Sequence, residues 1–172
     1  MNKKTLSNEF FSKVIDKMAE IDQVSRNNVM NNMGRKQMIY SHIVYLIDAV
    51  NGFRIKELIK KFGYPTKAKI GEASLRNFWL LIQHQDFDLD LQEKCLRNCD
   101  FALKNKAYLT DRILINSGKK QLYGTQFHKD KNGILKPLPI QDPKNIDKRR
   151  KRAGLESLEK YAKQMIERNF KK

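Results

Sequence analysis

His84, Asp86 and Asp111 are the residues whose types and setting could do chemistry. His84 stands four and three residues after Leu80 and Leu81, so on a helix its imidazole continues an apolar ridge. Asp86, Asp88 and Asp90 follow at two-residue steps, and HxDxDxD offers one nitrogen and three carboxylates to a metal. Read as a calcium loop from Asp86 the segment fails, because its sixth position is Leu91 instead of Gly and its twelfth is Arg97 instead of Glu. Asp90 and Glu93 also have the spacing of a helix capping box. No metal site is expected. Asp111 has Ala107 and Ile115 four residues to either side and Leu114 three residues on, so its carboxylate borders an apolar face. Its partner is expected from another segment: Arg149 or Arg150, a backbone amide, or His84. Beside a neutral histidine a part-buried aspartate is an acid/base pair. Beside an arginine it is a structural lock, the commoner state of a buried carboxylate.

Further along, Tyr123 and Gln126 lie on opposite faces of a strand-like Leu122–Phe127, with Gly124 between them inviting close approach of another backbone or a ligand. Arg149 and Arg150 could hold an anionic group. The leading reading is a pocket where the HQD helix end meets the TDR helix, the YGTQ strand and the DP-x-N-x-D-x-RR segment. His84 would transfer the proton, Asp86 and Asp111 would orient or charge-balance it, and Tyr123 and Gln126 would contact substrate. That describes a hydrolase or transferase acting on a phosphorylated or nucleotide-like molecule. No nucleophile elbow, phosphate-binding glycine loop, zinc-protease helix or paired cysteine knuckle is present, and no cofactor is implied.

The alternative is a non-catalytic binding module. The formal charge is +16, which favours nucleic acid, an anionic small molecule or an acidic protein as partner. Residues 143–172 carry eleven Lys/Arg against four acids, and Lys148, Lys151 and Arg152 form the sharpest basic run. Lysines outnumber arginines 25 to 10, which argues for a solvated surface, since arginine is the better fork for phosphates and bases.

The elements that must position these residues are mostly helices. At 172 residues with 40% hydrophobic content, the chain is expected to form one compact, mainly α domain of about six to seven helices with one late β-hairpin. Leu6–Val24 is amphipathic through Phe10, Phe11, Val14, Ile15, Met18, Ile21 and Val24. Asn27–Gly34 reads as a helix end or loop. Gln37–Val50 is apolar over most of its circumference, which places His42 on a buried side, and Asn51-Gly52 is expected to end it before a short basic helix over Arg54–Phe62. Ser74 is a plausible cap for a central helix carrying Phe78–Ile82, and Asp88 or Asp90 starts the next, with Leu91, Cys95, Cys99 and Ala102/Leu103 as its buried stripe. After a helix over Ala107–Asn116, Asn132-Gly133 is the turn signal of a hairpin spanning about 121–140. Asn145–Arg152 and a helix capped by Ser157 finish the chain. Residues 1–50 are read as a helical region packing on a core domain of 51–172. Cys95 and Cys99, four apart on one helix, are expected as reduced thiols. No apolar run approaches the ~18–20 residues of a membrane span, and the N-terminus lacks a signal-like apolar core, so a cytoplasmic location without membrane association is expected.

The blocks GYPT (Gly63–Thr66), FWLLIQHQDFD (Phe78–Asp88), AYLTDRILINSGKKQLYGTQF (Ala107–Phe127) and IQDPKNIDKRRKRAGLESLEKY (Ile140–Tyr161) resemble, in order and wording, a family of bacterial proteins known only as a domain of unknown function. The resemblance covers roughly the C-terminal two-thirds and implies that this part is self-contained. It brings no activity, substrate or catalytic residue, and the first ~50 residues look unlike the shared part.

Overall fold

A computed structural model describes residues 3–31 and 37–170. The chain is mainly α with a late two-stranded hairpin, and it divides into two units, residues 1–101 and 102–172.

The first unit contains α1 (Lys3–Asn31), α2 (Gln37–Phe62), α3 (Lys67–Gln83) and α4 (Leu89–Asn98). In α1 the buried positions are Phe11, Ile15, Met18, Ala19 and Asp22, whose three- and four-residue spacing keeps one stripe against the interior. Phe10, Ile21 and Val24, expected on that stripe, are exposed. Phe11 meets Phe78 edge-on at 6.5 Å, and Phe78 stacks on Phe101 at 6.2 Å. Phe78, Leu81 and Ile82 are fully buried, each side chain stabilising the unit by about 1.5–3 kcal/mol. Asp16 ties α1 to α3 by accepting from Ser74 Oγ and Asn77 Nδ2, both at 2.9 Å.

Several local expectations are corrected here. Helix α1 runs on to Asn31, and the remainder of the expected Asn27–Gly34 loop lies outside the described residues. Asn51-Gly52 does not break a helix: α2 is continuous from Gln37 to Phe62, so the expected boundary after Val50 falls inside it. The reason is tertiary. A Cβ on Gly52 would lie 2.3 Å from Gln85 Oε1, so this glycine is a notch for a buried glutamine. His42 is exposed, as is most of the helix around it. Thr66, not Ser74, caps α3, which kinks at Gly71 (φ 79°, ψ 164°). Asp88 caps α4 by accepting from Leu91 N at 3.0 Å, while Asp90 pairs with Lys94. Leu91, Cys95 and Cys99 are buried, but Ala102 and Leu103 are exposed because α4 has already ended at Asn98. Both cysteines are free thiols; Cys99 and burial push the Cys95 pKa far up, so it stays protonated.

The second unit contains α5 (Leu103–Asn116), β1 (Phe127–Lys129), β2 (Leu135–Pro137), α6 (Ile146–Arg152), entered through a 3-10 turn at Pro143–Asn145, and α7 (Leu158–Phe170). The strands pair antiparallel with Phe127 opposite Pro137, and the turn includes Asn132-Gly133. Asp130 holds it by accepting from Asn132 N and Ile134 N at 2.9 Å. Residues 121–126, expected as strand, are instead an irregular loop laid along 138–141: Gln121 N donates to Pro139 O, and Gln141 N to Gln121 O. Gly124 in this loop has φ 66°, and an added Cβ would meet Leu158 Cδ1 at 2.8 Å and Ile146 Cδ1 at 3.0 Å. Close approach, by side chains of the unit's own core, is what this glycine permits.

Candidate functional site

In the first unit, Asp22, Arg26, Asp48 and His84 converge where α1, α2 and the end of α3 meet, with Gln23 and Gln85 beside them. Asp22 sits on the buried stripe of α1, and Arg26 lies one turn on, with Nε at 3.0 and 3.2 Å from the two Asp22 oxygens. The same guanidinium reaches across to Asp48 of α2. Gln23 Nε2 donates to Asp22 Oδ2 at 2.8 Å. His84, immediately past α3, places Nδ1 3.2 Å from Asp22 Oδ2, close enough for an ion pair but too bent for a good hydrogen bond. Gln85, fully buried, donates from Nε2 to the Asp48 carbonyl at 3.1 Å. The order of the chain explains the meeting: His84 and Gln85 leave the helix just where α2 offers Asp48 and the Gly52 notch.

The two carboxylates are electrostatically unlike. Burial raises the Asp22 pKa, but His84, Arg26 and Gln23 outweigh it and hold the group below its ordinary value. For Asp48 burial prevails over Arg26 and His84, and with Asp22 also adding to it the pKa is raised. Asp22 therefore contributes stability that is in force above about pH 3.9, the ordinary aspartate value, and is lost as the pH falls through its lowered folded pKa. Asp48 works the other way: its contribution is present in acid and lost as the pH rises through its raised folded pKa. Near neutral pH, Asp22→Asn is expected to cost about 1–3 kcal/mol, whereas Asp48→Asn leaves stability unchanged or raised. Urea unfolding of the two variants checks this, and equal losses would refute the assignment.

Donor atoms of Asp22, Asp48 and His84 lie within 4.8 Å of one another, a set that could take a divalent cation. The Arg26 guanidinium already bridges the two carboxylates, and a metal would have to displace it. This cluster is what the sequence reading missed. The signals were an acid on the buried stripe of α1 and a lone acid in the apolar run of α2.

Asp86, also in the first unit, is exposed. Two hollows, of about 230 and 480 Å³, follow the C-terminal half of α2, both bordered by Lys60. Neither is lined by His84.

In the second unit, Asp111, Tyr123, Gln126, Arg149 and Arg150 do come together, around the 121–126 loop. Asp111 is fully buried and accepts from Leu122 N at 2.7 Å, Tyr123 N at 2.9 Å, Thr125 N at 2.9 Å and Thr125 Oγ1 at 3.0 Å. Of the partners expected for it, backbone amides are the ones found. Gln121 closes the loop from within: its Oε1 accepts from Gln126 N at 2.9 Å and its Nε2 donates to Gln126 O and Leu138 O. Gln126 Nε2 donates to Thr125 Oγ1 at 3.1 Å. Arg149 donates to the carbonyls of Leu122, Gln141 and Asp142 and pairs with the Asp142 carboxylate. Arg150, fully buried, donates to the carbonyls of Glu156 and Tyr123 and lies 4.9 Å from the Tyr161 ring centroid. Tyr123 packs on Ala107, Ala153 and Leu155. Lys148, Lys151 and Arg152, on the outer side of α6, are exposed.

The sequence model of a family described as "Family of unknown function (DUF6624)" matches residues 11–171, and the chain belongs to that family. The match takes in α1 from Phe11 onward, further toward the N-terminus than the resemblance implied. No curated protein and no solved structure matches.

Proposed function

We propose, for a chain whose family has no reaction attached to it, that the protein is a non-catalytic module binding a polyanion such as nucleic acid through the exposed cations of its second unit. The observation that carries this reading is how charge is used there. Residues 102–172 hold 19 Lys/Arg against 7 Asp/Glu, a net +12 of the chain's +16. The arginines best suited to recognition, Arg149 and Arg150, spend their forks on backbone carbonyls. Asp111 is taken up by amides, and Asp147 accepts from Leu158 N at the start of α7. What remains is a field of exposed cations, Lys148, Lys151 and Arg152 among them, suited to phosphates by charge and not to bases by shape.

Binding to a duplex oligonucleotide, followed by fluorescence anisotropy, is expected to weaken steeply with salt. Replacing Lys148, Lys151 and Arg152 by alanine should flatten the log–log slope by up to about 0.9 for each phosphate that is no longer neutralised. Absence of retention on a polyanion column at low salt overturns the reading. So does turnover of a phosphomonoester or nucleotide that disappears in His84→Gln. That result would favour a hydrolase or transferase built on the Asp22–Asp48–His84 cluster, whose carboxylates already differ in proton affinity.

A further inference from the structure

Helix α2 buries one face and leaves the other open. Asp48, Asn51, Gly52 and Ile55 are buried. On the opposite side Ile39, Ile43, Leu46, Val50 and Phe53 are exposed by 59, 41, 50, 56 and 68%. Their steps are four, three, four and three residues, the heptad spacing of a helix-pairing seam. Ile43 and Val50 fall at the positions where paired helices favour β-branched residues, and Leu46 falls where they favour leucine. From Gln37 to Phe53 there is no Lys, Arg or Glu, and the one acid, Asp48, belongs to the buried face.

We propose that this seam is the interface of a homodimer, α2 of one copy pairing with α2 of a second. The occupant follows from charge and pattern together. In a +16 chain, most surfaces bring lysines together when two copies meet, and this one does not. A polyanionic partner would gain nothing from a face without cations. The five seam side chains present on the order of 500 Å² in each copy, about 1,000 Å² for the pair, at the lower edge of a specific interface. The dimer is independent of what the second unit binds.

Leu46 is the midpoint of the seam, so whether the helices run parallel or antiparallel it meets its own counterpart across the two-fold axis. Sedimentation of the full chain is expected to give twice its 20.3 kDa mass. Leu46→Lys and Leu46→Glu should each halve that mass while leaving far-UV circular dichroism unchanged, because the side chain is not part of the unit's interior, and should remove the concentration dependence of melting that a dimer shows. Mixing the two variants should restore the doubled mass. A wild-type chain that stays monomeric overturns the proposal. If that monomer pelleted with phosphatidylserine vesicles and Leu46→Glu abolished the pelleting, the face would belong to a membrane surface. A dimer that survives Leu46→Lys overturns it equally, by placing the interface elsewhere.

Discussion

Replacing Asp111 with asparagine is expected to lower stability by about 3–5 kcal/mol, because about two buried donors lose their acceptor at about 1–3 kcal/mol each. Three backbone amides and a hydroxyl converge on this carboxylate, and all four donors are held by the 121–126 loop. Asparagine keeps one acceptor oxygen and turns an NH2 toward donors that then have no acceptor, so the loss combines weaker bonds with unsatisfied amides. In thermal melts the change should amount to roughly 10 °C, since each kcal/mol shifts the midpoint of a chain this size by about 2–4 °C. Hydrogen exchange of Leu122, Tyr123 and Thr125 should accelerate in the same variant. A melt within two or three degrees of wild type, about 1 kcal/mol, would mean that the loop is held by something else.

Arg150→Lys is expected to cost about 2–4 kcal/mol, although it keeps the charge. The arginine is fully buried, with Nε bonded to Glu156 O at 2.6 Å, Nη1 bonded to Tyr123 O, and the guanidinium plane against Tyr161. A lysine ammonium is a point donor. It can serve one side of this arrangement while leaving the other carbonyl without a partner, and it presents no flat face to the ring. Burial already pushes the Arg150 pKa down, against the pull of Tyr108, Tyr161 and the nearby acids. The shorter, more readily deprotonated lysine is worse suited to the same place. Urea unfolding of Arg150→Lys and Lys148→Ala side by side separates burial from charge: the second, exposed on the same helix, should change stability by less than about 0.5 kcal/mol. Equal effects would undo the claim.

The helices were legible because their periodicity is a direct record of burial, as in Phe11, Ile15 and Met18. Where every side is apolar the record is silent, and α2 shows the consequence: His42 is exposed because the buried face is set by Asp48, Asn51 and Gly52, residues that look like punctuation. Asn51-Gly52 is a strong local stop signal, yet the glycine answers to Gln85, more than thirty residues away in sequence. Asp111 could be recognised as a buried acid from its apolar neighbours. Its partners could not, because a carboxylate that caps a loop leaves no trace in side-chain pattern: the donors are main-chain amides. The Asp22–Arg26–Asp48–His84 cluster was hidden differently. Only the four-residue step from Asp22 to Arg26 lies within one helix, and the other two members arrive from separate segments.

The Asp111 cradle also has a bearing on how the second unit assembles. Asp111 reaches Leu122 across 11 residues and Thr125 across 14, while Gln121 and Gln126 are 5 apart. Arg150 reaches Tyr123 across 27. Closing a loop of about ten residues takes on the order of 10–100 ns, and each doubling of length adds only about 0.6 kcal/mol to the entropic cost. The cradle joins residues that are near in sequence, so its closure costs less chain entropy than the 27-residue span that brings the Arg150 guanidinium to Tyr123. Irregular though its backbone is, this loop needs only short closures, gathered on one carboxylate.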